Sequence, residues 1–129
     1  MILNLTQHTA TIEQKAAGIE DMDSEFKAQL VQLITFPAVY DRELLLTRAA
    51  QVHELVRDYL GTYPGLDIAL IGVMIGGMPS FIAPLENLLI SKGIKVGYAL
   101  SEHKSIDKMV DGKVIKTSTF VHAGMYWAN

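Results

Sequence analysis

Apolar and polar residues along this chain follow two rhythms, and they divide it into elements. Ile2, Leu3 and Leu5 predict a short strand that opens the chain and gives way to the polar run Thr6-Gln7-His8-Thr9. Thr11 with Gln14 three residues later has the spacing of a capping box, and Gly18 ends the short helix this box starts. Phe26, Leu30, Leu33 and Ile34 fall on one helical face after Asp23 or Ser24 as cap, and Phe36-Pro37 stops that helix. Asp41 caps a third helix with the stripe Leu45, Ala49, Val52, Val56 and Tyr59, closed by Gly61 and the Tyr63-Pro64-Gly65 turn.

The rhythm then changes. Ile68 to Val73 is a continuous apolar run, the pattern of a strand covered on both faces. Gly76-Gly77 follows, then Pro79 at the first position of a helix whose stripe is Phe81, Ile82, Leu85, Leu88 and Leu89. Lys92-Gly93 ends it, and Ile94, Val96, Tyr98 and Leu100 alternate as the next strand. Residues 67–100 thus make a βαβ crossover. After Ser101, the Asp111-Gly112 pair between Ile106–Val110 and Lys113–Val121 marks a hairpin. The expected fold class is α/β: a single Rossmann-like three-layer domain over residues 1–129, with a mostly parallel sheet and a C-terminal antiparallel hairpin.

Composition narrows the function. Half of the residues are hydrophobic and 19% are charged, which supports a real core in 129 residues. A net charge of −3 argues against broad binding to nucleic acid. The basic cluster Lys104, Lys108, Lys113 and Lys116 reads as a solvated hairpin face. The chain has no cysteine, so disulfides and thiolate chemistry are out. The N-terminus lacks a signal-peptide pattern and the longest apolar run is too short to span a bilayer, so a cytoplasmic location and no membrane partner are expected.

In open α/β sheets ligands bind beyond the carboxyl ends of the strands. Thr6, Gln7, His8 and Thr9 follow the first strand. Gly76, Gly77 and Met78 follow the second, and Ser101, Glu102, His103 and Lys104 the third. Gly76-Gly77 before a helix suits phosphate approach and equally suits a tight turn; it matches neither a dinucleotide fingerprint nor a phosphate loop. His8 is the first candidate for a general base, a phosphate donor or a purine contact, with Ser101 and His122 as further catalytic candidates. The expected ligand contacts are Thr6, Gln7, Thr9, Gly76, Gly77, Met78, His103 and Lys104. Whether His122 ends on the same edge as His8 is open at this level, and His53 reads as structural or exposed. The acidic residues Glu13, Glu20, Asp21 and Asp23 read as capping and surface groups. The histidine spacing is not that of a helical metal site, so no metal and no cofactor are expected.

The segments Asn4 to Thr11 with Glu13-Gln14, Ile75-Gly-Gly-Met-Pro79, Tyr98-Ala-Leu-Ser101 and Phe120-Val-His-Ala-Gly124 resemble a group of small prokaryotic and phage proteins. In outline that group resembles CRISPR-associated Rossmann-like domains, including ring nucleases that bind or cleave cyclic oligoadenylates. The resemblance implies a homodimer that holds a small nucleotide messenger at a two-fold cleft. It also implies cleavage by the ligand's own 2′-hydroxyl, with the protein supplying orientation and charge stabilisation and no metal. Glu102 departs from this picture, since an arginine there would suit phosphate better. The competing expectation is a non-enzymatic interaction or oligomerisation domain with no small ligand.

Overall fold

The computed structural model describes residues 1–129. Its element order is β1 (Ile2–Asn4), α1 (Ile12–Ala16), β2 (Ile19–Asp21), α2 (Ser24–Leu33), α3 (Arg42–Thr62), α4 (Leu66–Ala69), β3 (Gly72–Met74), α5 (Pro79–Ser91), β4 (Val96–Val110) and β5 (Lys113–Trp127). The five strands form one sheet in the order β2-β1-β3-β4-β5. β2, β1, β3 and β4 run parallel, and β5 returns antiparallel to β4. The chain leaves β1 toward β2 on one side and comes back to β3 on the other. The order therefore reverses between β1 and β3, the position where open α/β sheets leave a crevice.

Local chemistry accounts for the helices. The Thr11 hydroxyl accepts from the Gln14 amide while the Gln14 side chain takes the Thr11 amide, so the capping box forms. The Asp41 carboxylate accepts from the Leu44 amide at the start of α3. Leu45, Ala49, Val52, Val56 and Tyr59 are all buried, as their spacing requires. Arg48 donates to the carbonyls of Gln32, Leu33 and Thr35 and so closes the open end of α2.

The main core lies on one sheet face, where α2, α3 and α5 pack over Leu3, Leu5, Val73, Ile75 and Val96. The opposite face is thinner. Ile2, Ile19, Met74 and Ala10 form a small cluster closed by Met125 and Trp127, and α1, which buries no residue of its own, touches β2 and β5. Trp127 fills that face because two glycines make room for it. A Cβ on Gly72 would lie 2.7 Å from the Trp127 ring and 2.7 Å from the Lys95 carbonyl, and one on Gly97 would lie 2.7 Å from the same ring. The Lys95 ammonium stands 4.6 Å from the centre of that ring.

Three sequence expectations need correction. The apolar run Ile68–Val73 is not a strand: Leu66–Ala69 is a helical turn, Ile68 and Ile71 are exposed, and β3 begins only at Gly72. Apolar content without periodicity does not distinguish a helical turn from a strand. β2 was invisible because only Ile19 of its three residues is buried. The segment Ser101–Lys104, expected as a loop after the third parallel strand, is the middle of one 15-residue strand. β4 and β5 run on together past the sheet into a two-stranded arm that turns at Asp111 and Gly112, both at positive φ as an Asp-Gly turn demands. No helix is long and apolar enough to cross a membrane.

Candidate functional site

A cleft of about 820 Å³ opens at the carboxyl ends of β1 and β3, beside Tyr98 and Ala99 of β4. Its volume falls within the roughly 300–1,000 Å³ of small-molecule sites. One wall is the segment after β1, Thr6 to Thr9, joined by Thr11 and Gln14. The second is the turn Gly76-Gly77-Met78 after β3, and the third is Tyr98 and Ala99 of β4. The rim opposite is Phe36-Pro37-Ala38 and Tyr40, between α2 and α3.

The β1 wall is held from behind. Asn4 is wholly buried at the end of β1. Its amide donates to the His8 carbonyl at 2.7 Å and to Asp21 Oδ1 at 2.7 Å. Its Oδ1 accepts from the Thr6 amide at 2.9 Å and the Thr6 hydroxyl at 2.7 Å. Lys27 Nζ, from α2, donates to the carbonyls of Thr6 at 2.7 Å and His8 at 3.2 Å. Asp21 lies 3.9 Å from Lys27 and accepts from the Ala10 amide, which ties the far end of the loop to β2. Burial lowers the Lys27 pKa below the ordinary lysine value, and the Asp21 carboxylate offsets only part of that. The loop thus turns its carbonyls inward to a buried amide and an ammonium. His8 and Thr9 stay exposed, and the amides of Gln7, His8 and Thr9 make no bond within the chain.

The β3 wall has the same character. Gly76, Gly77 and Met78 donate no backbone hydrogen bond within the chain, and they lead directly into α5. Gly77 sits at φ +127°, which a side chain rarely tolerates. The start of α5 adds its positive dipole end. Tyr40 and Ser80 share a hydrogen bond of 2.9 Å, which joins the rim to the first turn of α5. Arg48 also lies 5.5 Å from the centre of the Phe36 ring and steadies that rim.

On the β4 wall, Tyr98 donates to Glu86 of α5 at 3.0 Å. Desolvation, helped by the neighbouring Glu86 carboxylate, pushes its pKa up to about 12. The cleft is therefore lined by hydroxyls, amides, one imidazole and four aromatic rings, those of Phe36, Tyr40, Phe81 and Tyr98, and by no carboxylate.

Of the residues singled out from sequence, Thr6, Gln7, His8, Thr9, Gly76, Gly77 and Met78 come together here. Ser101, His103, Lys104 and His122 do not. His103 and Lys104 lie exposed on the arm, because the strand carries them past the sheet edge instead of turning over it. Ser101 pairs with His122 at the base of the arm, beside a register shift in β5. His122 does sit beyond the carboxyl ends of the parallel strands, but outside the lining; it is half-buried, with Nδ1 shielded and unbonded. His53 is half-buried on α3, where burial lowers its pKa and the nearby Lys92 and Arg57 add to that. No three His, Asp or Glu side chains gather in a group that would hold a metal ion. Sequence reasoning missed the rim and Tyr98. Tyr98 was read as one position of an alternating strand, and Phe36 with Pro37 as a helix stop.

The model of the uncharacterized protein MJ1673 family matches residues 1–125, and the chain belongs to that family. No curated protein and no solved structure matches it.

Proposed function

We propose that this member of the uncharacterized protein MJ1673 family binds a small nucleotide messenger, a cyclic oligoadenylate or a close relative, in the cleft at the carboxyl ends of β1 and β3 beside Tyr98 of β4. The reading treats the domain as Rossmann-like, with α2, α3 and α5 as one layer and α1 with its flanking segments as a thin second one. One observation carries it. In a chain with 14 acidic residues, the cleft at the strand-order reversal contains none of them. Instead it offers two stretches of free backbone amides, one imidazole and a set of aromatic rings. Amides and a helix start suit phosphate oxygens, and the rings suit stacked bases.

The proposal gives each of these groups a role. The Gly76–Met78 amides take phosphate oxygens, and Phe36 or Tyr40 takes a base face. His8 is the single imidazole on the lining and the group placed to accept a proton. Cleavage, if it accompanies binding, runs within the ligand: the 2′-oxygen bonds to the adjacent phosphorus, the bond to the 5′-oxygen breaks, and a 2′,3′-cyclic phosphate and a 5′-hydroxyl result. His8 takes the 2′-hydroxyl proton, the departing 5′-oxygen takes a proton from water, and the amides stabilise the charge gathering on the phosphate. The proposal extends to a role in CRISPR or phage defence, supported by the resemblance of the Asn4–Thr11 and Phe120–Gly124 segments to CRISPR-associated domains.

The test is calorimetric titration with cyclic tri-, tetra- and hexa-adenylates, followed by mass analysis of the products. Binding by the wild-type chain, lost at least tenfold in His8→Ala with an unchanged thermal transition, is the expected result. Absence of binding to all three sinks the ligand class. Binding that His8→Ala leaves untouched removes His8 from the site.

A second reading, an interaction domain without a small ligand, is favoured by the arm, whose apolar side chains find no cover in their own chain.

A further inference from the structure

We infer that the β4–β5 arm is the dimerisation element of this protein, and that it binds the arm of a second copy through the face bearing His103, Met109, Val114 and Phe120. The argument does not depend on what the cleft holds.

Beyond Ser101 and His122 the arm touches nothing: every residue from 99 to 120 is exposed. An isolated two-stranded ribbon is marginal in water at best. The exposed surface states the same problem in area. A globular monomer of 14.2 kDa exposes about 6,800 Å², whereas this chain exposes 8042 Å². The excess of roughly 1,200 Å² exceeds the roughly 800 Å² each partner gives to a stable interface.

The register tells which face is used. Residues directly opposite share a face, so His103 with Phe120, Ser105 with Ser118, Asp107 with Lys116, and Met109 with Val114 point one way. The other face carries Glu102, Lys104, Lys108 and Lys113 among its apolar residues, an excess of positive charge that repels its own copy. The first face is neutral, its only charges being the adjacent Asp107 and Lys116. It also holds the least covered apolar side chains of the arm: Phe120 at 74%, Met109 at 74% and Val114 at 61% exposed.

That face is complementary to itself. Two copies laid face to face and antiparallel about a two-fold axis bring Phe120 and His103 of one against Met109 and Val114 of the other. Between these ends, Ser105 and Ser118 meet Asp107 and Lys116 of the second copy, hydroxyls against a carboxylate and an ammonium. Each copy offers and receives the same contacts, as an isologous interface requires.

The experiment is light scattering behind gel filtration on the full chain without ligand. Wild type should elute with twice the 14.2 kDa chain mass. Phe120→Lys combined with Met109→Lys should drop it to the mass of one chain, since these positions meet across the axis and would bring like charges together. Far-UV circular dichroism and the thermal transition report whether the body stays folded. Lys104→Glu, on the opposite face, should leave the dimer intact. A single-chain mass for the wild type at high micromolar concentration overturns the inference, and so does a dimer that survives the double substitution. A single-chain protein whose arm retards duplex DNA or RNA overturns it as well, in favour of the lysine face. Failure of the cyclic-adenylate titration would not alter any of these outcomes.

Discussion

Asn4 is the residue through which a fold defect would become a site defect. It is fully buried and makes four hydrogen bonds, two donated and two accepted. Asn4→Ala removes all four. Some partners recover: the Thr6 hydroxyl already lies 3.3 Å from the His8 carbonyl, Lys27 reaches both loop carbonyls, and Asp21 keeps the Ala10 amide. The Thr6 amide has no substitute. A buried donor left without a partner costs about 1–3 kcal/mol, and each lost neutral bond about 0.5–1.5 kcal/mol. Allowing for the partners that recover, the expected loss is about 2–4 kcal/mol, which a domain with the usual 5–15 kcal/mol survives. Urea denaturation followed by the fluorescence of Trp127, the one tryptophan, should show the midpoint falling with an unchanged slope. Because the lost bonds pin the Thr6 amide and hydroxyl and the His8 carbonyl, ligand affinity should fall with it, though Asn4 does not line the cleft. A loss below about 0.5 kcal/mol, the range of an ordinary surface substitution, would refute the claim that this amide organises the loop.

Tyr98 should ionise near pH 12 in an absorbance titration, and Tyr98→Phe should remove that component. Its folded pKa is raised, so its contribution to stability is whole below the unfolded value near 10 and is lost as pH climbs through about 12. A titration unchanged by Tyr98→Phe in its highest component would contradict the assignment. Gly97→Ala should destabilise by about 1–3 kcal/mol from overpacking, and Trp127→Leu in the same chain should recover part of that, because the clash is with the Trp127 and Met125 side chains. Gly72→Ala should not be rescued that way, since the Lys95 backbone carbonyl also blocks it; equal rescue at both positions in a double-mutant cycle would refute the packing account. Gly77→Ala should cost about 1–2 kcal/mol from its φ of +127°, read as a lower melting temperature, and unchanged ligand affinity would take the turn out of the site.

Helices were legible where a periodic stripe met a capping residue. Asp41 with Leu45, Ala49, Val52, Val56 and Tyr59 specifies α3 twice over, once through its end and once through its buried face. Strands were legible only in part, because β1, β2 and β3 are three residues long and buried by neighbours far away in sequence. Ile68-Ala-Leu-Ile71 has the composition of a buried strand and none of its burial, and the strand that lies on both faces of the core is Gly72-Val-Met74. The need for the two glycines Gly72 and Gly97 could not be read locally, because Trp127, more than 25 residues from either, is what makes them necessary. The candidate site divides the same way. Thr6 to Thr9 and Gly76 to Met78 were found because a polar run or a glycine pair interrupts an apolar one at a strand end, and a strand end is where the ligand edge lies. Ser101 to Lys104 failed on the same rule. A polar run signals that a strand has left the core, but it does not distinguish a chain that turns back from one that continues straight into solvent with a partner strand beside it. β4 does the second, since β5 pairs with it residue for residue from Ser101 up to the Asp111-Gly112 turn. The polar positions that elsewhere mark a loop here face water from both sides of a ribbon, and the apolar ones among them are left for another molecule to cover.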